Sequence, residues 1–234
     1  MMTTKEAYRI LEPAHFLKDE KLVQPNTPDE IETRRRIIDF IKELDIARFM
    51  LAMSFKEAGT DPYLDLFEEK DFNNKFKHAY YRQHYLYSSV IWYQNSFDMI
   101  LQCLWFHHKL YDKTLCKENM EKILLGCNSK TLVKRLYLGD QDNPISHFVD
   151  TNDYILDLAN RLKHRQFIEN DSYLLYAEAF NTRDGEYSSD ETVFRIKLND
   201  LQDSLVIFHK NLIALAKELL IPIHDSISNI FQED

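Results

Sequence analysis

Residues 74–111, NKFKHAYYRQHYLYSSVIWYQNSFDMILQCLWFHHKLY, decide how the whole chain is read. Tyr81, Tyr85, Ser88, Trp92, Asn95, Met99, Cys103, Phe106 and Leu110 recur at three and four positions, the spacing of one helical face. A helix of that length extends ~55 Å at 1.5 Å per residue. An aromatic stripe at helical spacing marks a central core helix in preference to a stacking platform for bases. Its most apolar part, 87–111, is interrupted by Gln94, Asn95, Asp98 and Gln102, whereas a membrane span needs about 20 mostly apolar residues. The segment therefore reads as a buried helix, and no membrane is expected as a partner.

Upstream, Thr27-Pro28-Asp29-Glu30 has the grammar of a helix start: a capping Thr, Pro at the first helical position and Glu placed for a capping box. Ile31, Ile37, Ile38, Ile41, Leu44, Ala47 and Leu51 continue it toward Gly59. Arg34-Arg35-Arg36 near its start reads as a solvated face. Downstream, short helices are expected over 118–125 and 130–138, a loop over 139–144, and a helix over 151–165 with Ile155, Leu158, Ala159 and Leu162 inward. Two stretches rich in β-formers, 172–180 and 191–198, flank the turn-forming Asn181-Thr182-Arg183-Asp184-Gly185 and read as a β-hairpin. A last helix is expected from Asn199 to Leu220, ending before Pro222. The fold class that follows is all-α: an antiparallel helical bundle over 27–220 with a small inserted β-hairpin at 172–198, an N-terminal extension at 1–26 and a C-terminal tail at 221–234.

Composition supports this class. Four glycines and six prolines are too few for the turns of a β-sandwich or a series of βαβ units. The net charge of −9 argues against a general nucleic-acid binder, although a local basic site fits within an acidic shell. Cys103, Cys116 and Cys127 are odd in number and lack Cys-x-x-Cys spacing, so free thiols in a reducing compartment are expected. The N-terminal residues show no apolar leader, and the expected location is the cytoplasm.

The polar constellation that stands out is on the 151–165 segment. Asp153, Asp157, Asn160, Arg161 and His164 share the side opposite Ile155, Leu158 and Leu162, and Lys163 and Arg165 make the end basic. Cations there complement the helix dipole, and Asp157 with Arg161 has the spacing of an ordinary ion pair. No two histidines stand four apart, and neighbours His107 and His108 diverge by about 100° on a helix. No metal site is expected from the histidines, and no cofactor. Glu118-x-x-Glu121 and Asp150-x-x-Asp153 loosely resemble the paired acidic motifs with which all-α nucleotide pyrophosphohydrolases hold Mg²⁺.

A bundle whose third main helix ends in Asn160-Arg161-Leu162-Lys163-His164-Arg165 resembles the HEPN superfamily. That resemblance implies a compact helical bundle, commonly a homodimer, with an Arg and a His at a cleft between subunits. Active members resemble metal-independent endoribonucleases, often toxins or antiviral effectors that meet an antitoxin-type protein partner. Their usual motif is an Arg, a polar residue, and a His five to seven positions on. Here Leu162 follows Arg161 and His164 comes three positions later, closer to divergent members with an Asn-x-x-Lys-His core. On this resemblance Arg161 and His164 are the catalytic pair, supported by Asn160, Lys163 and Arg165, with Asp98 and Asn95 lining the same cleft. His164 would take the 2′-OH proton, Arg161 would neutralise the phosphorane and Lys163 would add charge. The non-enzymatic alternative is an inactive module that binds RNA, a nucleotide or a protein.

Overall fold

The structure, a computed structural model, describes residues 3–17, 27–55, 74–111, 120–164, 168–170 and 194–228. Its elements are α1 (Thr4–Ile10), a 3-10 turn (His15–Leu17), α2 (Pro28–Met53), α3 (Asn74–His107), α4 (Met120–Leu124), α5 (Ser129–Leu136), α6 (Pro144–Thr151), α7 (Asp153–Lys163), β1 (Ile168–Asn170), β2 (Phe194–Ile196) and α8 (Leu198–Ser228). The chain is mostly helical. Among the described residues, no helix is long and apolar enough to cross a membrane.

The start of α2 follows its sequence signature. Thr27 Oγ1 accepts from the Glu30 N–H at 3.3 Å, the Glu30 carboxylate accepts from the Thr27 N–H at 3.2 Å, and Pro28 opens the helix. This capping box satisfies donors that a helix start otherwise leaves unpaired. The helix ends at Met53, and the expected stop at Gly59 lies outside the described residues. Arg35 is solvated as expected, its side chain 62% exposed. Arg36 is not: its side chain is 12% exposed and stacks 5.8 Å from the Phe106 ring.

α3 is the central helix, packing on α2, α8, α7 and α5. Its fully buried line is Leu86, Ser89, Val90, Tyr93, Ser96, Phe97, Ile100, Cys103 and Leu104. The line read from the sequence holds at Cys103 and Phe106, both buried, and is corrected elsewhere. Tyr81, Tyr85, Ser88, Trp92, Asn95 and Met99 are half-buried beside it, because several elements surround α3 and bury more than one stripe. Phe97 stacks on Phe148 of α6 with centroids 4.7 Å apart, and Phe208 of α8 meets both Phe148 (5.2 Å) and Tyr93 (5.6 Å).

Three other expectations change. The helix expected over 151–165 is α7, Asp153–Lys163, and a separate helix, α6 (Pro144–Thr151), precedes it where none was expected. Asn143 caps α6 by accepting from the Ser146 N–H at 3.0 Å, and buried Asn152 separates α6 from α7. The Asn152 amide donates to the Phe148 carbonyl at 2.7 Å and its oxygen accepts from Asn211 of α8 at 3.1 Å, so side-chain bonds hold the break. The hairpin is not what the described residues show. Phe194–Ile196 pairs in parallel with Ile168–Asn170, in the register Ile168 to Phe194. A parallel pair needs a crossover of a dozen or more residues, not a tight turn. The expected first arm, 172–180, lies outside the described residues. Finally, α8 runs through Pro222 to Ser228. An interior proline costs ~3 kcal/mol. Burying Ile223 and Ile227 beyond it offsets that at ~1.5–3 kcal/mol each.

Within the expected N-terminal extension, residues 3–17 belong to the core cluster, with Ala7, Leu11, Ala14 and Leu17 buried. Arg48 of α2, 4% exposed, donates from Nε to the Leu11 carbonyl at 2.9 Å and from Nη1 to Asp45 at 2.7 Å. Lys217 of α8 pairs with Glu12 at 2.7 Å. Between them His209 is buried, its Nδ1 3.1 Å from the Tyr93 hydroxyl and its Nε2 toward the Glu12 main chain without a well-formed hydrogen bond. Burial, with Arg48 and Lys210 adding to it, pulls His209 down to about 3. The unfolded chain then takes up a proton below about 6.5 that the folded chain refuses. Stability is complete above that pH and falls as pH drops toward 3, by at most about 1.4 kcal/mol per pH unit. Urea denaturation at pH 7.5, 6 and 5 should show this fall in the native chain and a flatter dependence in His209→Gln.

Candidate functional site

α7 is built as an anchored presenter. Ile155, Leu158 and Ala159 are buried against the core while Asp153, Asp157 and Asn160 are exposed. Leu162, expected inward, is half-buried and packs on the core. His164 closes the helix as its C-terminal cap, exposed, its N–H donating to the Asn160 carbonyl at 3.0 Å. The bond that joins Asn160 to His164 is thus a main-chain one. Arg161 and Lys163 lie in the last turn, where cations oppose the helix dipole.

Each cation is held by a carboxylate. Arg161 Nε donates to Asp157 Oδ2 at 2.7 Å, the i,i+4 pair anticipated from spacing. Lys163 Nζ lies 3.6 Å from Asp98 Oδ2 on α3, which also accepts from Gln94 at 2.9 Å. Burial raises the Asp98 carboxyl above the usual range, and Lys163 and Gln94 pull against that rise. Of the two polar residues on α3 expected to line the site, the structure brings Asp98 to the end of α7. It turns Asn95 elsewhere, into a hydrogen bond with Glu43 of α2. Arg165 lies outside the described residues. Arg161, Lys163 and His164 therefore share the last turn of α7, Arg161 turned to Asp157 and Lys163 to Asp98 of α3, with Asn160 exposed.

Comparison of the chain with protein-family models, curated proteins and solved structures finds no match.

The acidic pairs fare differently. Asp150 and Asp153 fall on opposite sides of the break at Asn152, so they do not form an i,i+3 pair on one helix. Glu118 lies outside the described residues. Among the described residues no three of His, Cys, Asp or Glu stand together as a metal-binding group.

Two features were missed from the sequence. An open cleft of about 420 Å³ between α6 and α8 is lined by His147, Thr151, Asn152, Asn211 and Glu218, with His147 Nε2 2.8 Å from Asp142 at its rim. None of Asn160 to His164 lines it. The dipeptide Asn143-Pro144, a cap followed by a first-turn proline, was the available signal for α6. The second is a polar edge between α2 and α3. Glu32 Oε2, Arg36 Nε, Glu43 Oε2 and Gln102 Oε1 are buried there with no protein hydrogen-bond partner, and Glu43 is raised by burial.

Because His164 is exposed, His164→Ala should change stability by no more than about 0.5 kcal/mol. Half-buried Leu162→Ala should cost ~1–3 kcal/mol, below the full range for a buried leucine. Both are read by urea denaturation. In Lys163→Met, carbon-detected NMR should find Asp98 titrating at a higher pH than in the native chain, since a charge that favours its ionised form is gone.

Proposed function

We propose that this chain is a HEPN-like helical module whose α7 end binds phosphate groups of RNA or of a nucleotide. The observation that carries the reading is that Arg161, Lys163 and His164 all belong to the last turn of α7, half-buried or exposed, on a helix whose other side is buried. Guanidinium and ammonium groups at a fixed position suit phosphate oxygens, the first by forked hydrogen bonds and the second as a point charge. Asp157 and Asp98 hold these cations in place, and an incoming phosphate has to compete with both carboxylates. That competition favours binding over catalysis, because a cleaving site needs its cation aimed at the phosphorane and not at a neighbouring carboxylate.

A second reading is a metal-independent endoribonuclease of a toxin or antiviral defence system. It is favoured by the i,i+3 placement of Arg161 and His164, which puts a proton acceptor and a phosphate ligand one turn apart. The same resemblance carries a homodimer, a cytoplasmic setting and an antitoxin-type protein partner.

Titrating single-stranded RNA in EDTA tests both readings. Binding through two or three phosphates should give a log–log salt slope of about −1.5 to −2, and Lys163→Ala should shrink it by ~0.7. Strand cleavage in EDTA that disappears in His164→Ala would move the conclusion to the nuclease. Absence of both binding and cleavage would end the assignment of α7.

A further inference from the structure

The outward face of α2 exposes large apolar side chains among its charges. Ile31 is 49% exposed, Ile38 39% and Phe49 50%. With Arg35, Lys42 and Asp45 they occupy positions 31, 35, 38, 42, 45 and 49, alternating steps of four and three that make the seam of a coiled coil. The seam is about 27 Å long at 1.5 Å per residue. Arg35 and Lys42 side chains are 62% and 69% exposed, and that of Asp45 is 40% exposed.

The order of these residues is self-complementary. When two copies of the seam are laid antiparallel about a dyad level with residue 40, Ile31 falls opposite Phe49 of the second copy, Arg35 opposite Asp45, and Ile38 opposite Lys42. Every layer then joins one position of the repeat to the other kind, as antiparallel coiled coils require. Arg35 of each copy meets Asp45 of the other, whose Oδ1 accepts from Arg48 within its own chain, twice by symmetry. The lysine stem lies along Ile38, beside a small groove of about 30 Å³ lined by Leu17, Ile37, Ile38 and Ile41. A chain with net charge −9 repels its copy, so association needs local attraction of this kind. An unrelated partner gives no reason for the sequence of α2 to match its own reversal.

We propose that the outward face of α2 is a self-association surface, on which a second copy lays its own α2 antiparallel in this register. The pairing is isologous and stands on α2 alone, whatever the end of α7 binds.

Sedimentation equilibrium of the intact chain tests it. The expected mass rises reversibly with concentration from 28.0 kDa to twice that value. Ile38→Glu and Phe49→Glu should each raise the dimer dissociation constant roughly tenfold or more, with circular dichroism and melting temperature unchanged. Phe49→Ser stands in should either charged variant fold poorly. The register is read by mixing Ile31→Cys protein with Phe49→Cys protein and oxidising: a cross-linked pair should form in the mixture, above the background of native and of Ile31→Cys protein alone. His164→Ala should leave the mass unchanged. A single chain's mass at every concentration, a monomer that instead binds a different protein through Phe49, or a dimer indifferent to both α2 variants would overturn the proposal.

Discussion

Everything in this bundle is arranged around the close approach of α2 and α3. The two helices run antiparallel, and small side chains fill the line between them. Ser89 donates to the Ala47 carbonyl at 3.1 Å, the Cys103 thiol lies 3.9 Å from the Thr33 carbonyl, and the Tyr111 hydroxyl bonds Asp29 at the far end. A larger residue at Ser89 or Ala47 would force the helices apart, and a packed interior transmits such strain. Because the approach is tight, aromatic side chains of α3 are displaced to its other sides. There Tyr93, Phe97, Phe148 and Phe208 knit in α6 and α8. The hydrogen bond between Glu43 and Asn95 and the ion pair between Asp98 and Lys163 both follow from where that approach sets α3.

Polar groups inside the molecule divide into two kinds. Arg48, Ser54 and Gln202 are satisfied by specific bonds: Gln202 donates to Ser54 at 2.7 Å and accepts from Arg82 at 2.8 Å. Such bonds tie α2, α3 and α8 at fixed positions along their lengths. The second kind, Glu32, Arg36, Glu43 and Gln102, has buried atoms without protein partners. A buried orphan costs about 1–3 kcal/mol unless water reaches it. Two different solutions thus lie along α2: its Arg48 end is pinned by complete bonding, and its Arg36 edge is not.

What could be read in advance tracks how local the cause is. The α2 capping box is legible because Thr27, Pro28 and Glu30 act within one turn. The polarity of α7 is legible because helical period alone separates Asp157 and Asn160 from Leu158 and Ala159. The line of burial on α3 was misplaced because Tyr, Trp and Met at half-buried positions look as apolar as the core itself. The break at Asn152 depends on Asn211, which is distant in sequence, and nothing in the neighbouring residues announces that partner. The parallel pairing of Phe194–Ile196 was equally hidden, since β-forming composition does not carry strand direction. In the site, the Arg161–Asp157 pair followed from spacing. Asn95 and Asp98, one turn apart on α3, gave no sign that one would turn to Glu43 and the other to Lys163.

The contacts of the N-terminal segment bear on how the protein is made. Residues 3–17 leave the ribosome before the helices they pack on, and Lys217, the partner of Glu12, emerges roughly two hundred residues later, on the order of ten to forty seconds at ordinary rates of synthesis. Throughout that interval Leu11 and Leu17 have no completed surface to cover, and Arg48 stays hydrated until the segment docks. Closing the bundle is therefore a late event that couples segments about two hundred residues apart.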